Sequence, residues 1–354
     1  MSPVMAGLVS VVIVNWNGKR YLERCLSSVL DQTYRQFEVI LVDNGSTDGS
    51  VEFVSRTFPQ VRLIENPENM GFAAGSNRAI ESANGDYVAT LNNDAQADGR
   101  WLEELVRPME ADQQVGMCAS KMLFYHQPQL INSAGISLDK VGIAWDRKLG
   151  EPEADEDSLQ EVFGPCAGAA LYKRRMLEEV GLFDEDFFCY LEDVDLAWRA
   201  RLRGWRSLYV PGAKVYHLHS ATSGEGSPFK GYFRGRNKVW TIVKNYPNPH
   251  LLLWSPLIAL YDLGSVLFAF LAERDLSPLR GRMASLRGLP LMLHKRFQIQ
   301  RGRRLSSTAF QTHMSPAESP WGLYRRYRTL SAVAKSREIE ISPLDASGIG
   351  GHGC

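Results

Sequence analysis

The sequence predicts an α/β protein built on a mostly parallel, doubly wound sheet. Three observations point there. Strand-like and helix-like segments alternate through residues 1–120. The strand segments are continuous apolar runs rich in β-branched residues, as strands buried on both faces require. Polar clusters follow three of these runs, at the carboxyl ends where open α/β sheets bind ligands.

The elements follow in order. Val9–Val14 is the first buried strand, and Gly18–Leu30 carries Tyr21, Leu22, Leu26, Val29 and Leu30 at helical spacing. Phe37–Val42 is a second strand, closed by the turn-rich Asp43-Asn44-Gly45-Ser46. Ser50–Phe58 is a short helix, Val61–Ile64 a third strand and Gly71–Ala83 a helix of small residues. Asp86–Leu91, Arg100–Ala111 and Val115–Ser120 add a strand, a helix and a strand. Residues 124–161 have weak periodicity and end in an acidic, loop-like stretch. Order returns at Val162 and lasts to about Tyr246.

The chain has 354 residues, 44% of them hydrophobic, which excludes global disorder. Its formal net charge is zero, so bulk charge does not announce a nucleic-acid partner. The charge is uneven: Glu273–Arg304 holds nine Lys/Arg against two acids, which suits an anionic surface. Five scattered cysteines without a CxxC pair read as a reduced, intracellular protein lacking structural zinc. Val9–Val14 is too short, and too quickly followed by Asn15-Trp16-Asn17-Gly18, to be a signal peptide.

Leu251–Ala272 is apolar enough to span a bilayer, but Asp262 near its centre costs about 2.5–3.5 kcal/mol there. A surface-lying or re-entrant helix pair is favoured over a full span. A buried helix packed on the catalytic domain is the competing reading. The tail Ser342–Cys354 reads as disordered.

The chemistry-bearing residues lie at strand ends and at one helix start. Asn15 and Asn17 follow the first strand, Asp43 and Gly45 the second, and Asn92-Asn93-Asp94 the fourth. No GxGxxG follows the first strand, which argues against a dinucleotide site. Asp43 can accept from a base N–H or a ribose hydroxyl, or merely brace its turn by accepting from Gly45 and Ser46. Asp94 can give a hard oxygen to a divalent cation, or cap a helix. Phe187-Phe188-Cys189-Tyr190-Leu191-Glu192-Asp193-Val194-Asp195 sets three acids at a helix start behind aromatic residues. Such acids suit the helix dipole. One of them, partly desolvated, can also act as a general base. Asp195 pairs with Arg199 four residues on, which leaves Glu192 and Asp193 to face a cleft. His217 and His219 alternate onto one face, near the proposed metal. Arg234, Arg236, Asn237 and Lys238 form a basic cluster suited to a diphosphate or an anionic acceptor, or to plain solvation. The small residues of Gly164–Ala170 allow close approach to a ligand or tight strand packing.

Several segments together resemble family 2 glycosyltransferases of the GT-A fold, especially the rhamnosyltransferase-like branch. They are VSVVIVNWNGKRYLERCLSSVLDQTY, VDNGSTDGS, ENMGFAAGSNRAIESANGDYVATLNNDA, GLFDEDFFCYLEDVDLAWRARLRGWRSLYVPGAKVYHLHSATSG and YFRGRNKVW. The resemblance implies a Rossmann-like GT-A catalytic domain over 1–246, with a nucleotide-binding half (1–120) and an acceptor half (121–246). A helical, basic, membrane-associated extension over 247–341 and the tail 342–354 follow. It implies that Asp43 reads the base, and that Asn15, Asn17, Gly45, Asn77, Asn92, Asn93 and Arg236 contact the nucleotide-sugar. Asp94 matches the last acid of the DxD motif and, with His217, would hold Mg2+ or Mn2+. Glu192-Asp193 matches the ED pair, with Asp193 as base. Asn92 departs from the motif by removing its first charge.

The expected activity is inverting, metal-assisted transfer from a nucleotide-sugar, dTDP-rhamnose by branch resemblance, to a polyprenyl-diphosphate-linked glycan acceptor. The expected place is the inner face of the cell membrane, held peripherally, with no nucleic-acid partner. Three rival readings stand: a UDP-sugar transferase of the same family, a nucleotidyltransferase, and a non-catalytic sugar-nucleotide binder. The nucleotidyltransferase lacks the expected early glycine- and basic-rich phosphate loop.

Overall fold

The computed structural model describes residues 5–154, 158–218 and 227–329. His219 and the tail 342–354 therefore lie outside the described residues. In chain order the elements are β1 (Met5–Asn15), α1 (Lys19–Leu30), β2 (Phe37–Asp43), α2 (Ser50–Thr57), β3 (Arg62–Glu65) and α3 (Gly71–Ser82). Then come β4 (Gly85–Leu91), β5 (Ala95–Ala97), α4 (Trp101–Ala111), β6 (Val115–Phe124), β7 (Ile131–Ser133), β8 (Ile136–Leu138) and β9 (Ala144–Asp146). The second half holds β10 (Gln160–Glu161), β11 (Ala169–Lys173), α5 (Arg174–Val180), α6 (Glu192–Leu202) and β12 (Arg206–His217). It closes with α7 (Pro228–Asn245), α8 (His250–Phe268), α9 (Ser277–Gly302) and α10 (Ser307–Gln311).

The main sheet runs β10-β12-β6-β11-β4-β1-β2-β3. The pairs β4-β1-β2-β3 and β12-β6 are parallel, while β11 lies antiparallel between β4 and β6. Alternation along β1 sends Val9, Val11 and Ile13 into the core under α1 and α4, and Val12 into the core under α3 and α6. Two cores on opposite faces are what continuous apolar strands require.

β12 departs from the short strand expected over Ser207–Val210. It continues through Pro211-Gly212 because a register shift between Val210 and Lys214 absorbs the proline. His217 consequently sits on the strand, paired with Ala95 of β5.

The C-terminal helices are built onto the sheet domain. In α10, Phe310 stacks on Trp198 of α6, with centroids 5.7 Å apart and planes 8° apart. α9 presses on α7 at Gly288, where a Cβ would lie 2.5 Å from the Trp240 ring. By contrast, no side chain of α8 is buried. Leu251, Trp254 and Ile258 nevertheless pack partly buried against the catalytic domain, so the helix lies on that domain with its outer side open. Asp262, the costly charge at its centre, pairs with Arg282 (2.5 and 2.7 Å) and Lys238 (3.2 Å). The flanking faces leave Leu253, Leu263 and Leu267 exposed by 70%, 67% and 52%.

Candidate active site

The parallel register aligns Asn15, which ends β1, with Asp43, which ends β2. Asn15 Nδ2 donates to Asp43 Oδ2 at 2.9 Å and to Ser46 Oγ at 3.2 Å. Asn15 Oδ1 accepts from Asn93 Nδ2 at 2.7 Å. The other Asp43 oxygen accepts the Ser46 N–H at 2.8 Å. Asn17 completes the rim: its N–H donates to Ser46 Oγ and its Oδ1 accepts the Thr47 N–H, both at 2.8 Å. Asp43 therefore braces its turn, and each of its oxygens keeps a second lone pair. Gly45 holds a left-handed φ of 69° with Glu68 backbone against it, which only glycine accommodates.

Next along the rim, β12 carries His217 to Asp94. His217 Nδ1 lies 2.8 Å from Asn132 Oδ1, an atom that only accepts. Its Nε2 lies 3.2 Å from Asp94 Oδ1. Asn92 Nδ2 also approaches Nε2, at 3.3 Å. An imidazole nitrogen and a carboxylate oxygen side by side are ligand types that fit a divalent metal. Among the described residues no group of three or more His, Cys, Asp or Glu gathers for a metal. The protein thus offers two ligands, and a diphosphate with waters would supply the rest.

α6 carries three acids in three states. Burial pushes Glu192 well above the usual carboxylate range, Asp193 adds to this, and Glu192 Oε2 has no hydrogen-bond partner. Asp193 is partly exposed. Burial raises it to about 6, against the N–H bonds from Ala167 and Val194 that pull it down. These bonds measure 3.1 Å and 2.7 Å. Burial would also raise Asp195, but Lys244 and Arg199 outweigh it and hold the group at about 2. Asp195 pairs with Arg199 at 2.9 Å, as its spacing predicts, and with Lys244 at 2.8 Å. Environment has pushed Glu192 well up, Asp193 up to about 6 and Asp195 down to about 2, all within four residues.

One short segment joins these groups. Gly168 O accepts the Asn92 N–H at 2.9 Å, and the adjacent Ala167 N–H reaches Asp193. The structure therefore brings Asp43, Asn15, Asn93, Asn92, Asp94, His217 and Asp193 into one connected series. The small residues of Gly164–Ala170 are what let this segment pass between the two acids.

Two residues expected at the ligand also have partners within the protein. Asn77 spends its whole amide on the segment before α6. Its Nδ2 donates to Phe183 O and Glu185 Oε1 (2.8 and 2.9 Å), and its Oδ1 accepts the Phe183 N–H at 3.1 Å. Arg236 donates through Nε to Asn237 and through Nη2 to Asp186 O and Phe187 O, at 2.8–2.9 Å. Both residues hold the segment that leads into α6.

Their object is the loop that enters α6. Phe188, Tyr190 and Leu191 all have left-handed φ values of 64–68°. Each such residue costs on the order of 1–3 kcal/mol. Asn237, fully buried, turns its Nδ2 to the carbonyls of Phe187, Cys189 and Tyr190 at 2.8–3.0 Å. From the other side, Ala73 N–H donates to Phe188 O at 3.1 Å, and Gly71 leaves room for that carbonyl. Sequence reading missed Asn132 and Asp146. Asn132 orients His217, and the charge of Asp146 raises Asp193 further. Both come from the weakly periodic middle, where no residue pattern marks them.

The comparisons agree with this geometry. The family model for Glycosyl transferase family 2 matches residues 10–181. The chain is 32% identical over 251 residues to an N-acetylglucosaminyl-diphospho-decaprenol L-rhamnosyltransferase of Mycobacterium tuberculosis, covering 62% of this chain and 79% of that protein. A structure of GalNAc-T7 with UDP, GalNAc and Mn2+ matches with a TM-score of 0.57 at 19% identity, over 69% of this chain and 48% of that one. A mannosyltransferase from Pyrobaculum calidifontis in complex with GDP-Man and Mn2+ matches at 0.52 and 20%, over 92% and 84%. At these identities the two structures speak for the fold, which is GT-A-like. The strand-end clusters, the acid-bearing helix and the relative's coverage meet in one conclusion: this chain belongs to glycosyltransferase family 2.

Proposed function

We propose that the protein transfers a sugar, with inversion, from a nucleotide-sugar donor to a polyprenyl-diphosphate-linked glycan acceptor. The observation that carries this is Asp193: a partly exposed carboxylate titrating near 6, one peptide away from the segment that holds Asn92. A base with that value is mostly ionised at neutral pH and still basic enough to take a hydroxyl proton. Asp193 accepts the acceptor's O–H proton while that oxygen attacks the sugar C1. The C1–O bond to the diphosphate breaks on the opposite face, and the leaving nucleoside diphosphate keeps the electron pair. A single displacement inverts C1. Burial and the neighbouring Asp193 push Glu192 upward, which disfavours a second negative charge beside Asp193. Asp94 and His217 are the residues that would hold Mg2+ or Mn2+, which neutralises charge on the leaving diphosphate. The rhamnosyltransferase relative supports dTDP-rhamnose as donor and a polyprenyl-linked acceptor.

Nucleotide-dependent stabilisation tests donor and metal together, because a ligand raises the melting temperature according to its affinity. dTDP with Mn2+ is expected to stabilise the protein more than UDP or GDP. Asp94→Ala is expected to lose the Mn2+-dependent part. Equal shifts with and without Mn2+ would rule out the metal, and preference for UDP would rule out a dTDP donor.

The same proposal places the enzyme peripherally on the inner face of the membrane, through α8 and the basic residues of α9. Exposed leucines along α8 beside a cationic stretch favour an anionic lipid surface. The double variant Leu263→Ser/Leu267→Ser is expected to stay in the supernatant when anionic vesicles pull down the parent. Co-sedimentation unchanged by these substitutions would remove α8 from the interface.

A further inference from the structure

A cluster of aromatic rings stands between α7 and the loop that enters α6. Phe188 stacks on Phe233 at 5.2 Å, Phe229 lies 4.7 Å from Phe233, and Tyr190 lies 6.4 Å from Phe229. Phe229, at the start of α7, remains 46% exposed. Phe188 and Tyr190 precede the candidate base Asp193 by only a few residues, so the cluster adjoins the acceptor side of the site. Cations edge it: Lys230 Nζ lies 5.9 Å from the Tyr190 ring centre, and Arg234 is exposed on the same stretch of α7.

The helix that carries the cluster also meets the turn between α8 and α9. Gly231 of α7 abuts Asp275, Ser277 and Pro278 in the turn between α8 and α9. At that turn Leu271 and Leu276 are 68% and 41% exposed. The rings therefore form a short apolar strip on α7 beside the turn that carries these exposed leucines, and its Phe188 and Tyr190 belong to the loop that leads into the helix of Asp193. A sugar subsite would present hydrogen-bonding side chains. This strip presents ring faces and edges with cations beside them, which complements an unsaturated hydrocarbon joined to an anion.

We propose that the rings seat the acceptor's first isoprene units, with its diphosphate between Lys230 and Arg234. This rests on the polyprenyl-diphosphate acceptor reading above and adds the place where that acceptor is held.

Farnesyl diphosphate and inorganic diphosphate, titrated calorimetrically against the full-length protein, separate the lipid from the anion. Farnesyl diphosphate is expected to bind, and Phe229→Ser to weaken it by about 10-fold or more, the usual cost of losing an aromatic anchor. Inorganic diphosphate is expected to bind more weakly than farnesyl diphosphate and to be indifferent to Phe229→Ser. Unchanged thermal stability and unchanged dTDP binding show that the variant is folded. Equal farnesyl diphosphate affinity in parent and variant, or equal affinity of the parent for both probes, overturns the subsite. Sugar transfer to a polyprenyl-diphosphate-linked acceptor is followed separately. Absence of transfer beside a Phe229-dependent farnesyl diphosphate affinity defeats the proposed reaction and leaves the subsite standing.

Discussion

Asp193→Asn is expected to lower kcat by about 10²–10⁴-fold, the usual contribution of a general base, while donor affinity stays within a few fold. The amide can still accept the Ala167 N–H, so the segment joining Asp193 to Asn92 keeps its anchor. It cannot take a proton. The pH profile gives a second reading of the same group. Burial raises Asp193 to about 6, so the proton-free form exists only above that value. Rate in the parent should climb as pH rises through about 6 and then level off. That limb should vanish in the variant's residual activity. Turnover surviving within 10-fold of the parent would strip Asp193 of the role. A parent protein that binds donor but never turns it over would leave the non-catalytic reading instead.

Asp195→Asn should damage stability most, by about 3–5 kcal/mol, because it removes the anion from a buried set of charges. Asp195 is fully buried, and Lys244 beside it is only 2% exposed. Lys244 also bonds Asp184, which Lys295 of α9 grips in turn at 2.6 Å. Loss of one carboxylate leaves Lys244 and Arg199 undercompensated in a place water does not reach. The sign of the pH effect follows. Native Asp195 sits at about 2, below its ordinary 3.8, so its contribution is present above 3.8 and lost as pH falls toward 2. Urea midpoints across that range should fall steeply for the parent and more gently for the variant. A loss under about 1 kcal/mol would mean that the charges reorganise around the gap.

The framework was legible because both-face burial writes itself as uninterrupted apolar runs. β1, β2 and β4 fall where Val9–Val14, Phe37–Val42 and Asp86–Leu91 put them, within a few residues at either end. The rim followed from the parallel sheet, since it forces Asn15, Asp43 and Asn92 to the same edge. Residues 124–161 were opaque for a physical reason. Their strands are two or three residues long, too short to show a period, and only β7 and β8 are largely buried. Asn132 and Asp146 come from there. The extension of β12 to His217 was hidden by Pro211, which usually ends a strand and here sits in a bulge. Residue type alone did not reveal the protein partners of Asn77 and Arg236. An amide or a guanidinium serves a backbone carbonyl as readily as a phosphate, and only the folded positions of Phe183 and Phe187 decide which.

The loop that enters the helix of the candidate base Asp193 hangs from Asn237, and α9 grips the neighbouring Asp184 and Asp186 through Lys295. Shortening the chain at Tyr246 would therefore not release a smaller, freely soluble enzyme. It would cut away part of the brace that steadies the reacting carboxylate, along with the greasy helix one wished to discard. Solubility has to be engineered by repainting the outer side of α8, residue by residue, with the whole length of the chain retained.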